Sequence, residues 1–190
     1  MGEFAAFVGL GFHHIADPTA FDHMLFLLAL AAIYRGRDWR SAAWVVTAFT
    51  VGHSITLALA VTGALALPTA LIEFLIPVTI VATGVENLLV RDRTTASLRG
   101  RCRPIFAGVF GLVHGAGFAN YLHSLFTGSI AMPLFGFNTG IELGQLAILG
   151  AAAVLLSAVD HLVGHRLRVV AVSTGVVMVA TTMAVERAPW

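Results

Sequence analysis

Apolar residues run in long blocks separated by short polar connections: residues 20–34, 41–67, 69–90, 104–126, 131–159 and 169–185 are hydrophobic almost throughout. A helix crosses a hydrocarbon layer of about 30 Å with about 20 such residues, at about 1.5 Å each. Lipid offers no hydrogen bonds, so a spanning segment must satisfy its own backbone groups, which a helix does. The pattern predicts an all-α polytopic membrane helical bundle of about six transmembrane helices, forming one integral membrane domain over residues 1–190. The first block, 20–34, is short and reaches only about 22 Å. The segment before it, GEFAAFVGLGFHHIADP, is apolar too, and Asp17-Pro18 should break it, because proline has no N–H and pushes the residue before it out of the helical region. A short N-terminal re-entrant or interfacial helix is therefore expected ahead of the first full helix, and interrupted helices at membrane depth line cavities. Pro68, Pro104 and Pro133 mark expected helix starts. Pro77 lies inside the third block and should kink it.

Composition agrees: 58% of the 190 residues are hydrophobic and 11% charged, against about 25% charged in a soluble domain. A net charge of +1 leaves no basic excess for a nucleic-acid partner. All eleven cations are arginines. Ten fall in the first, third and fifth connections (Arg35, Arg37, Arg40; Arg91, Arg93, Arg99, Arg101, Arg103; Arg166, Arg168), and Arg187 is the exception. Short arginine-rich connections stay on the cytoplasmic side, so both termini are expected outside. The apolar N-terminal run has no positive lead and no small-residue cleavage site, which argues against a signal peptide. The lone Cys102 allows neither a disulfide framework nor a thiolate cluster. His161 and His165 fall in the fifth connection and are expected to be solvated.

Ionisable groups inside the blocks are costly and call for a function. His13, His14, Asp22 and His23 surround the first helix; His53 lies in the second; Glu73 and Glu86 in the third; His114 and His123 in the fourth; Asn138, Glu142 and Gln145 in the fifth. Counting along the helices puts His53, His114 and Glu142 about 15 to 18 Å from a membrane face. His14, Asp22, His23, Glu73 and Asn138 fall in the outer half, and Glu86 near the inner end. Asn138, Glu142 and Gln145 share one helix face, while Gly136, Gly140 and Gly144 line the other and should pack closely. The glycines Gly111 and Gly115 beside His114 invite the same close approach. His123 points away from His114. Imidazoles and carboxylates at compatible depths suggest a divalent transition-metal site at His14, Asp22, His23, His53, His114 and Glu142, supported by His13, Glu73, Glu86, Asn138 and Gln145. Nitrogen and oxygen donors without thiolate suit nickel, cobalt, zinc, iron or manganese.

In order along the chain, HHIADPTAFDHMLFLLAL, FTVGHSITLALAVTG, GVENLL, FGLVHGAGFA and FNTGIELGQL resemble the HupE/UreJ family of small bacterial membrane proteins, regarded as nickel or cobalt permeases. The resemblance implies metal contacts at His14, Asp22, His23 and His114; His53 and Glu142 are added by depth alone. It also implies the bacterial cytoplasmic (inner) membrane. Two departures stand out. Seven residues separate His14 from Asp22 where five are usual, and Gly117-Phe118 stand where the better-described permeases carry a Glu soon after His-Gly. The expected function is transport of nickel or cobalt through a site open to the outside, with a metal ion and the lipid bilayer as partners. The alternative is an intramembrane zinc hydrolase, with His23, His53 and His114 holding zinc and Glu142 or Asp22 as general base.

Overall fold

The computed structural model describes residues 2–35, 38–89, 97–123 and 130–189, with the side chains of 97–101 and 119–123 outside the description. The expectations for Arg37, Arg91, Arg93, Arg99, Arg101 and His123 fall outside the described residues. Seven helices follow in order: α1 (Glu3–Ala16), α2 (Phe21–Ile33), α3 (Trp39–Val61), α4 (Thr69–Leu89), α5 (Ser97–His123), α6 (Ala131–Val163) and α7 (His165–Glu186). Four of them, α3, α4, α6 and α7, are long and apolar enough to cross a membrane, and a fifth span arises if α1 and α2 count as one broken helix. Among the described residues the expected count of six is thus not confirmed on length and composition. Helix α5 falls outside that count; its first turns carry arginines, and glycines and His114 dilute its apolar half.

The break between α1 and α2 falls where Asp17-Pro18 predicts it, with a bend of 73°. Asp17 Oδ1 accepts hydrogen bonds from the Thr19 amide at 2.8 Å and the Thr19 hydroxyl at 2.7 Å, closing a turn that ends one helix and starts the next. Two boundaries differ from expectation. Helix α5 already begins at Ser97, so Pro104 sits inside it. The fifth connection is almost entirely helical: α6 runs on to Val163 and α7 starts at His165, with only Gly164 between them. Gly164 has φ +78°, a conformation that glycine adopts without steric penalty. His165 is consequently half-buried against Asp160 and Arg168 rather than solvated.

Helix α2 is the centre of the bundle. Phe26, Leu27 and Ala29 to Ile33 are all buried, and α4, α6 and α7 pack around it. The remaining helices pair as α3 with α5, α1 with α6, and α4 with α7. Glycines permit the first two pairings. A Cβ on Gly111 would collide with the Phe49 carbonyl oxygen, one on Gly115 with the His53 carbonyl oxygen, and one on Gly52 with the Gly108 carbonyl oxygen. The stripe on α6 does the same against α1, where Gly140 abuts the Val8 carbonyl oxygen. Without a hydrophobic force between helices in lipid, such backbone approach supplies the packing energy. The outer surface is the reverse of a soluble protein's: Trp44, Val154 and Leu162 are at least 70% exposed, which suits contact with lipid chains.

The arginine-rich connections meet at one end. The Arg103 guanidinium lies 5.8 Å from the Tyr34 ring centroid and donates to Glu86 Oε1 at 3.1 Å and Asn87 Oδ1 at 2.8 Å. Asn87 Nδ2 donates to the Ala29 carbonyl oxygen at 2.7 Å. Arg168, only 2% exposed, binds both oxygens of Asp160 at 2.7 and 3.1 Å and reaches the Tyr34 carbonyl oxygen. Segments distant in sequence thus place their charges together, as the alternating pattern requires.

Because backbone contacts cannot be relieved by a rotamer change, Gly115→Ala should lower stability by about 2 kcal/mol. Gly175→Ala, where an added Cβ meets nothing within 4 Å, should shift it by less than about 0.5 kcal/mol. Thermal unfolding of the two variants in detergent checks the contrast.

Candidate metal centre

The turn at residues 17–20 folds the last turn of α1 onto the first turn of α2. His14 and His23 therefore lie edge to face, ring centroids 4.7 Å apart, and the longer spacer between them is taken up by the turn. Helix α3 places His53 at the same point: one ring nitrogen from each of His14, His23 and His53 lies within 4.8 Å of the others. Two nitrogens bound to a common ion at about 2.1 Å can be up to about 4.2 Å apart. The three rings are thus at, or a small rotation away from, coordinating separation.

His114 is the fourth member, its ring centroid 5.9 Å from that of His23. Its Nδ1–H donates to the Phe110 carbonyl oxygen at 2.9 Å. A carbonyl can only accept, so this bond fixes the tautomer and leaves Nε2 with a free lone pair directed inward. Aromatic rings hold the group in place. Phe118 lies 3.9 Å from His14 between ring centroids and stacks on Phe137 at 5.2 Å, while Phe49 packs edge-on to His114 at 5.1 Å.

The centre is polar and its ring nitrogens are buried. His14 Nε2, both nitrogens of His23, both of His53 and Nε2 of His114 are buried without a hydrogen-bond partner among the described residues. Asn138 sits close enough to interact with His53 but makes its one well-formed hydrogen bond to the Leu134 carbonyl oxygen, at 2.9 Å. Orphaned buried nitrogens cost about 1–3 kcal/mol each. A cation bound by the lone pairs of neutral imidazoles would satisfy several at once, and imidazole donors suit several transition metals, nickel, zinc, copper and iron among them.

The remaining candidates occupy other places. His13 is exposed and His14 faces the cluster. Asp22 lies on the wall of the same cavity, of about 360 Å³, together with Glu73, Gly117 and Arg187. Its carboxylate is held by Arg187, whose Nη1 stands 3.1 Å from both oxygens. Glu142 is turned away from the histidines. It accepts from the Thr47 hydroxyl at 2.6 Å and lines a separate groove of about 750 Å³ between α3 and α6, with Asn138 and Ser54. Gln145 accepts from Thr50 at 2.7 Å. Glu86 belongs to the Arg103 network at the other end of α2. Sequence reasoning singled out the histidines but not the rings of Phe118 and Phe137 behind His14, which no pattern of polar residues marks. Arg187 was visible only as the arginine that broke the alternation.

The sequence profile described as HupE / UreJ protein matches residues 1–187. No curated protein and no solved structure matches the chain.

His14→Ala should weaken Co²⁺ binding to the purified protein at least about tenfold, and His13→Ala by less than about twofold, since only the first removes a converging nitrogen. Isothermal titration in detergent distinguishes the two.

Proposed function

The chain belongs to the HupE/UreJ family, a membrane family associated with nickel and cobalt transport, and from that premise we infer that it moves nickel or cobalt ions through the histidine centre. The observation that carries this reading is the convergence of imidazoles from α1, α2 and α3, with His114 of α5 beside them and their nitrogens unpartnered. A hydrated divalent ion meets Asp22 and Glu73 at the cavity wall. It then exchanges part of its water shell for the nitrogens of His14, His23, His53 and His114. At the arginine-rich end a separate small pocket of about 10 Å³ is bordered by Phe26, Phe110, Glu86 and Arg103. On this reading the ion enters at the Asp22 end and leaves past Glu86, an exit ligand once Arg103 releases it. The family suggests the bacterial cytoplasmic membrane, and the arginine distribution favours an orientation there with the Asp22 end and both termini outside. The whole chain acts as one membrane domain.

A zinc hydrolase would need a free general base beside the metal-bound water. Asp22 is engaged by Arg187 and Glu142 lines a different groove, which leaves Glu73 on the cavity wall for that role.

Cells producing the protein should accumulate Ni²⁺ or Co²⁺ above control cells, and His53→Ala and His114→Ala should each abolish the excess. One tightly held ion per chain with no accumulation would instead fit a metalloenzyme. Neutral imidazole binds a metal and imidazolium does not, so affinity should fall, not rise, as the pH is lowered from about 7.5 to about 4. Titrations of the purified protein across that range check the sign; affinity rising with acid would refute imidazole ligation.

A further inference from the structure

Among the described residues, the cavity that leads to the histidines has one cation on its wall, Arg187. Arg187 follows the last residue of α7 and reaches back to Asp22 on the first turn of α2, so the contact ties the final helix to the central one. Both partners are only partly exposed, with side chains 33% and 21% accessible, and both line the wall of the histidine cavity. The other arginines with described ion pairs, Arg103 and Arg168, lie at the opposite end of α2, where they bind Glu86 and Asp160. An arginine at a cation-binding cavity opposes the charge of the cargo unless it has a role there.

We propose that Arg187 is a displaceable counter-ion for Asp22, a latch that an arriving divalent cation opens by taking the carboxylate from the guanidinium. This rests on the transport reading above and adds the residue that governs entry. Arg187 acts through Asp22 and is a positioning residue. While the cavity is empty, the guanidinium neutralises the carboxylate beside four uncharged imidazoles, so no unpaired charge is left half-buried. A divalent ion coordinated by those imidazoles would attract Asp22, on the wall of the same cavity, with twice the charge of the guanidinium, whereas a monovalent ion has no such advantage. The latch therefore discriminates against sodium and potassium without a size filter. It also links ion arrival to release of the end of α7, since the Arg187 side chain loses its anchor on α2.

The test is a nickel titration of the purified full-length protein, comparing wild type with Arg187→Gln, Arg187→Lys, Asp22→Asn and the Asp22→Asn/Arg187→Gln double variant. Removing the competitor should tighten Ni²⁺ binding about fivefold in Arg187→Gln. Arg187→Lys should stay near wild type, and Asp22→Asn should weaken binding. The gain should vanish in the double variant, because it depends on the freed carboxylate. A purely structural ion pair would lower the unfolding temperature of Arg187→Gln with affinity unchanged or reduced, and that result overturns the proposal. A gain that persists without Asp22 also overturns it, by showing a general charge effect. For the wild type alone, Ni²⁺ should accelerate amide hydrogen exchange over residues 184–189; unchanged exchange counts against the latch even if the variants fold poorly. If the wild type binds Ni²⁺ and these effects are absent, the latch alone fails. If it binds no Ni²⁺, the transport reading fails with it.

Discussion

Direct contact between backbones, at positions where only a hydrogen atom fits, holds this bundle together. Gly111 and Gly115 of α5 lie against the main chain of Phe49 and His53 on α3, and Gly140 of α6 lies against Val8 on α1. Helices immersed in lipid gain little from burying apolar side chains, since lipid is as apolar as the neighbouring helix; dispersion at close range is what remains. The same contacts fix function. Gly115 meets the carbonyl of His53 itself, so the interface that binds α3 to α5 also sets where the His53 ring stands relative to His114.

The histidine centre gathers buried donors that a bound cation would satisfy. Six imidazole nitrogens with no hydrogen-bond partner among the described residues would be a defect in an ordinary core. Here the surrounding rings of Phe49, Phe118 and Phe137 and the backbone bond from His114 to Phe110 keep them from collapsing onto one another or turning toward other acceptors. A site held open in this way pays its reorganisation cost during folding, leaving more of the coordination energy for capture. Release requires that the binding not be too deep, and neutral nitrogen donors with one compensated carboxylate nearby bind less avidly than a cage of free anions.

Charge is arranged around that centre by end. Central helix α2 is flanked at its first turn by Asp22 and Arg187, and at its last by Arg103 and Arg168 converging on Tyr34. Asp22 and Glu86 each have an arginine partner, while Glu73 on the cavity wall has no ion pair among the described residues. A divalent ion would be the largest charge in the centre.

Much of this was written in the order of residues. Continuous apolar blocks dictate helices, because a backbone in lipid must bond within its own segment. Asp17-Pro18 dictates the break, because proline cannot continue the hydrogen-bond ladder. The glycine spacings on α5 and α6 announce close packing, because spacing along a helix is a local property. Partnership between side chains from different helices is not local. Depth alone grouped Glu142 with His53 and His114, yet rotation of α6 turns it toward Thr47; depth also separated His14 and His23 from His53, yet the 73° bend brings them together. Nor could spacing reveal that Arg187 would fold back to Asp22, 165 residues away. Helix type, breaks and candidate donors are set by each segment's own chemistry, whereas which donors share a centre depends on bend angles and helix rotations that exist only once the segments have packed.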